Sequence, residues 1–196
     1  MTGRIPRLLA AAAALLVLGG GFLLYRRGFE SGRGHTAGRD SGEARKWVSP
    51  RWRYEVTFPS GWEPDKRDDN SVLTPGVDVF CASGRSASTA VFAYPRLPAD
   101  TLEGFAQEIL KRLRQEFKNL ETVEEKSYTV GDISCRRMVL RAQNPVSKLR
   151  YHYTLILAPE VVLAVSSNAL EEEYAWAEPQ FEGIVQSLRF LPKEGS

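Results

Sequence analysis

Two links in this chain are too short to be anything but hairpin turns. Only Gly131 and Asp132 separate the strand-like runs Ser127–Val130 and Ile133–Arg141, and only Ala158 to Glu160 separate Leu149–Leu157 from Val161–Ser167. Parallel neighbours need a crossover of about a dozen residues or more, so both pairs must be antiparallel. Further strand-like runs stand at Arg53–Phe58, Val77–Ala82 and Thr89–Tyr94. In the first of these Tyr54, Val56 and Phe58 share one face, and Pro59-Ser60-Gly61-Trp62 ends it.

Two helices fit between and after the strands. Asp100 with Glu103 three residues on has the form of a capping box. Leu102, Phe105, Ile109, Leu110, Leu113 and Phe117 then recur at helical spacing. A second helix opens at Asn168 with Glu171, is interrupted by Pro179, and resumes with Phe181, Ile184, Val185 and Leu188 aligned. Strands, helix, strands, helix with hairpin connections predict an α+β fold of helix and sheet layers, built on a mostly antiparallel sheet. A doubly wound nucleotide binder is excluded.

Apolar residues make up 43% of the 196, enough for a buried core, and the net charge is +2. Up to Arg45 seven arginines face only Glu30, Asp40 and Glu43, so everything after Arg45 sums to −2. The basicity belongs to the leader, and a nucleic-acid partner is not expected. Leu8–Tyr25 is 18 residues without a charge. As a helix it spans roughly 27 Å, enough for a bilayer core. A cleaved signal peptide is the competing reading. Cleavage at Gly19–Gly21 would leave Phe-Leu-Leu-Tyr as the new terminus, and no Ala-x-Ala follows the run, so an uncleaved single-span transmembrane anchor is expected. No cysteine follows for lipid attachment. Arginines flank both sides of the run, so charge does not favour an exported C-terminus. The organisation read from this is a membrane anchor at 1–27, a flexible Gly/Ser-rich tether at 28–46, a folded domain at 47–192 and a tail at 193–196. A coil the length of the tether reaches roughly 25 Å.

Chemistry-bearing residues are sparse. His35 lies in the tether, and His152 stands in a strand opposite Tyr151 and Tyr153, where a solvated or satisfied histidine is expected rather than a catalytic base. The stretch Gly84-Arg85-Ser86-Ala87-Ser88 begins like a nucleophile elbow, but Ser88 occupies the place of the second glycine, so it reads as a loop. Asp65, Asp68, Asp69 and Asn70 lack the glycine and glutamate of a calcium loop. Cys81, Cys135 and His152 lack close ligand spacing for a metal. Glu171, Glu172 and Glu173 suit the first turn of a helix. The two cysteines are either a disulfide pair or two separate buried thiols. No catalytic residue, metal or cofactor is expected.

Taken together, the strand followed by "FPSGW", the helix after "AYPRLPADTLEGF", the antiparallel block and the closing "FEGIVQSLRF" resemble the Mog/PsbP superfamily, with its PsbP-like, bacterial DcrB-like and LpqN-like members. The resemblance covers about Arg53 to Leu191. It implies an α/β/α sandwich on an antiparallel sheet and a non-enzymatic protein that binds or assists. It also implies that Trp62 plugs the sheet end, against side chains such as Phe117 or Phe181, rather than contacting a ligand. Many bacterial relatives are exported. The function expected is a membrane-anchored accessory domain, extracytoplasmic, acting through a protein partner. The alternative is a carrier or chaperone holding an apolar ligand or apolar helix between sheet and helix.

Overall fold

The structure, a computed structural model, describes residues 43–64, 76–143 and 147–192. The Leu8–Tyr25 run, most of the 28–46 tether, the Asp65–Asn70 cluster and the tail at 193–196 lie outside the described residues. Among those described, no helix is long and apolar enough to cross a membrane.

The order is β1 (Arg45–Val48), β2 (Tyr54–Phe58), β3 (Trp62–Pro64), β4 (Val77–Ser83), β5 (Ser88–Pro95), α1 (Leu102–Glu116), β6 (Asn119–Val130), β7 (Ile133–Gln143), β8 (Lys148–Leu157) and β9 (Val161–Leu170). A 3-10 turn (Glu171–Glu173), α2 (Tyr174–Ser187) and β10 (Arg189–Phe190) follow. Seven strands form one sheet, β3-β4-β5-β9-β8-β7-β6, and three form a small one, β1-β2-β10. Every pairing among them is antiparallel, as the hairpin links require. Gly131 makes the tight β6–β7 turn with φ +59°, a conformation open to glycine at little cost.

The large sheet is covered on both faces, and strand alternation sorts its side chains accordingly. On one face Val79, Val91, Val139, Ile156 and Val165 pack with Ala177, Phe181 and Ile184 of α2 and with Tyr54, Val56 and Phe58 of the small sheet. On the other, Phe92, Met138, Leu140, Tyr151 and Tyr153 pack with Ala106, Ile109 and Leu113 of α1.

Several boundaries differ from the sequence reading, each for a physical reason. β6 runs twelve residues from Asn119 rather than four from Ser127. It is the outer strand, solvated on both sides, so no apolar alternation marks it. β1 begins at Arg45, within the stretch read as tether, because Trp47 pairs opposite Val56 and packs on the core. The cap of α1 is Thr101, whose Oγ1 accepts the Gly104 N–H at 3.0 Å. Asp100 instead accepts the Leu97 N–H at 2.6 Å, closing the preceding turn. Asn168 is not a helix start: it lies in β9, 2% exposed, opposite Tyr151 and Ser88. α2 also runs unbroken through Pro179. The carbonyl that loses its partner to the proline ring belongs to Ala175, an exposed residue, where water can take it.

Candidate functional site

Each residue singled out in the sequence has a definite place. Trp62 is 1% exposed and opens β3, opposite Ser83 at the sheet end. Its ring meets Phe181 edge-on, with centroids 6.1 Å apart at 77°, and its Nε1–H donates to Gln180 Oε1 at 2.7 Å. It is a core residue. Phe117, the other expected neighbour, packs on Tyr151 at 5.8 Å, under the opposite face of the sheet.

His152 is not solvated, and one of its two nitrogens is unsatisfied among the described residues. It is 2% exposed, its Nδ1 has no hydrogen-bond partner among the described residues, and its ring stands edge-on to Phe181 at 6.0 Å. Burial, helped by Arg137, pushes its pKa down to about 4, so it is neutral at pH 7. Beside it in register, Ser167 shares a 2.8 Å hydroxyl hydrogen bond with Thr89. A base needs reach to a substrate proton, and this imidazole lies beneath α2.

The loop that resembled a nucleophile elbow is pinned to the start of α2. Ser86 donates both its backbone N–H and its Oγ–H to Glu173, and the Arg85 guanidinium lies 4.5 Å from the centre of the Trp176 ring. Ser88 begins β5, 7% exposed. Cys81 and Cys135 are buried on one face of the sheet and are not joined in a disulfide. They sit on β4 and β7, with three strands between them. Four strand spacings make roughly 19 Å, far beyond disulfide reach. Burial raises the pKa of the Cys135 thiol, which disfavours the reactive thiolate. Among the described residues no group of three or more His, Cys, Asp or Glu could hold a metal ion.

The acidic run Glu171–Glu173 does more than face a helix dipole. Glu173 holds Ser86, while Glu171 binds Arg150 and Arg141. Hydrogen bonds from Arg150, then Arg141, hold the Glu171 carboxyl down at about 2. This cluster borders a cleft of about 470 Å³ at one end of the sheet, lined also by Asn119, Leu120, Glu121, Gln143 and Lys148. Sequence reasoning missed it, because Arg141 and Arg150 come together only in the β7–β8 register. Arg141 also binds Glu121 at 2.9 Å, so ion pairs wall part of the cleft, beside the amides of Asn119 and Gln143 and the apolar side chain of Leu120.

No family model matches the sequence, and no curated protein sequence matches it. Solved structures do. The PsbP protein of the cyanobacterium Synechocystis sp. PCC 6803 aligns over 81% of this chain and 98% of its own, with TM-score 0.62 at 14% identity. The Saccharomyces cerevisiae Ran-binding protein Mog1p aligns over 77% of this chain and 97% of its own, with TM-score 0.53 at 13% identity. LpqN of Mycobacterium tuberculosis, described as involved in cell envelope biogenesis, aligns over 79% and 87%, with TM-score 0.50 at 12% identity. At such identities the likeness speaks for fold alone. The chain has the fold seen in these PsbP, Mog1p and LpqN structures.

Proposed function

We propose that this chain is a membrane-anchored, non-enzymatic accessory domain that acts by binding a protein partner on the extracytoplasmic side of the cytoplasmic membrane. The observation that carries the reading is the fate of His152, the one histidine among the described residues, which is sealed under Phe181. The serine of the elbow-like loop is likewise engaged, by Glu173. Side chains of catalytic type are thus committed to packing and pinning, which leaves surfaces as the working parts. The printed descriptions of a Ran-binding protein and of a cell-envelope protein with this fold lean the same way. The Leu8–Tyr25 run supports the anchor.

A carrier of an apolar ligand between α1 and the sheet is less well supported. Among the described residues the Tyr151 hydroxyl and the Asn168 Oδ1 are buried there without partners, and the Tyr153 hydroxyl lies beside Ser166. An apolar ligand would satisfy none of these polar groups, and a buried group left unpaired costs about 1–3 kcal/mol. Two readouts test the proposal. The full chain should resist carbonate extraction and keep its first residues, and an alkaline phosphatase fusion after Ser196 should be active. A mature N-terminus near Phe22 would remove the anchor, and an inactive phosphatase beside a fluorescent green-protein fusion would reverse the side.

A further inference from the structure

We infer that the turn joining β1 to β2, with the small sheet around it, docks on anionic lipid headgroups of the membrane that holds the chain, an inference that rests on the anchored reading above. The first observation is a separation of charge. The small sheet, its turn and the residues leading into it carry Arg45, Lys46, Arg51, Arg53 and Arg189 against Glu43 and Glu55, a net +3. The other described residues from position 59 onward hold 12 basic and 16 acidic side chains, a net −4. One end of the domain is thus basic and the remainder acidic, which orients it in the field of a negative surface.

The second observation is how the turn is built. The buried Ser49 accepts the N–H groups of Arg51 and Trp52 on its Oγ, at 3.3 and 3.0 Å, and donates its own N–H to the Tyr54 carbonyl at 2.9 Å. Arg53 then takes φ +53°, a left-handed conformation that strains a residue with a Cβ. It is held there by its guanidinium on the Pro192 carbonyl and by the Leu191 N–H on its own carbonyl. What this frame presents is Val48, 49% exposed, and the exposed Pro50 and Arg51, beside the Trp52 ring, which is half-buried with one part packed on the core. Cations beside an aromatic and an aliphatic side chain suit the headgroup layer, where the ring sits at the interface and guanidinium groups meet phosphate.

The third is connectivity. Only 19 residues separate Tyr25 from Arg45, and a coil of that length reaches roughly 25 Å. β1 is therefore the first described strand after the apolar run, and its sheet is the basic one. Glu55 pairs with Lys46 at 2.6 Å and offsets it, so the positive charge of the face comes from Arg45, Arg51, Arg53 and Arg189.

The test uses the full chain in lipid nanodiscs, either of phosphatidylcholine alone or mixed with phosphatidylglycerol, both containing brominated lipid. A fluorophore is placed on Val48→Cys or, at the far hairpin, on Val130→Cys. Buried Cys81 and Cys135 are checked with the unsubstituted chain. Quenching is expected at position 48 and not at 130, in the phosphatidylglycerol discs and not in the others, and it should fade with added salt. Reversing two exposed cations, Arg45→Glu with Arg51→Glu, should lower the docked-to-free ratio by at least about 30-fold, the loss of two cations alone. Equal quenching at 48 and 130, or indifference to lipid charge and to the reversals, overturns the inference. So does a label at 48 that stays in water but cross-links to an acidic protein. If the chain fails to enter discs, the anchor reading falls by itself. The same labels are then read with phosphatidylglycerol vesicles added outside, where salt-sensitive quenching at 48 keeps the docking face and its absence ends it.

Discussion

Trp62 stands edge-on to Phe181, 6.1 Å between ring centres, and so ties the first strand of the large sheet to the last helix of the domain. The pair closes the core at one sheet end, and the Gln180 side chain satisfies the one polar atom of the indole. Trp62→Ala should therefore destabilise the domain by ~3–5 kcal/mol, the range for emptying a large aromatic site. Trp62→Phe keeps ring contact and loses the hydrogen bond, at about 1 kcal/mol. Thermal unfolding of the variants checks both values. A negligible shift for the alanine variant would return Trp62 to the list of ligand contacts.

Arg136 and Arg137 are neighbours on β7 that leave the sheet on opposite faces. Arg136 binds Glu125 on β6 and Glu103 on α1, and Arg137 binds Glu124 on β6 and Glu182 on α2. One arginine therefore ties the edge strand to each helix in turn. A double-mutant cycle on Arg137 and Glu182 should give a coupling of about 0.5–1 kcal/mol at low salt, since both side chains are partly solvated. The coupling should shrink as salt is raised. A coupling of zero at low salt would make the pair incidental.

His152 sets an acid limit on stability. Its folded pKa, about 4, lies below the ordinary 6.5, so the unfolded chain binds its proton first. The stability it permits is complete above pH 6.5 and is lost as pH falls through 4, to a total of ~3 kcal/mol. Arg137 lowers the value further and Glu124 opposes it, while Phe181 covers the ring. His152→Leu should flatten the stability profile over that window. Glu171 acts in a lower window, losing its contribution as pH falls from 4.5 toward about 2, so the two effects separate. An unchanged slope between pH 6.5 and 4 in His152→Leu would contradict the assignment.

The fold was legible where side chains alternate between core and water. β2, with buried Tyr54, Val56 and Phe58, and α1, with buried Ala106, Ile109 and Leu113, carry that signature openly. β6 does not, because both its faces meet solvent and its identity rests on backbone pairing with β7. Asn168 misled because a polar residue at the end of an apolar run resembles a helix cap, whereas here it is buried in β9 between β5 and β8. Spacing alone could place Phe117 and Phe181 on helical faces but could not say which side of the sheet each helix covers. Only three-dimensional packing separates Phe181 above Trp62 from Phe117 beneath Tyr151. The ion-paired cleft at Glu171 was hidden for a similar reason: its partners Arg141 and Arg150 meet only through the β7–β8 register.

Partner binding from an anchored position is tested most directly by cross-linking the full chain in its own membranes and identifying what purifies with it. The expected result is one protein enriched in near-equal amount to the chain, which rebinds the purified full chain in nanodiscs. Recovery of no such protein, with a lipid or other amphiphile present in equal amount instead, would contradict the accessory role and favour a carrier.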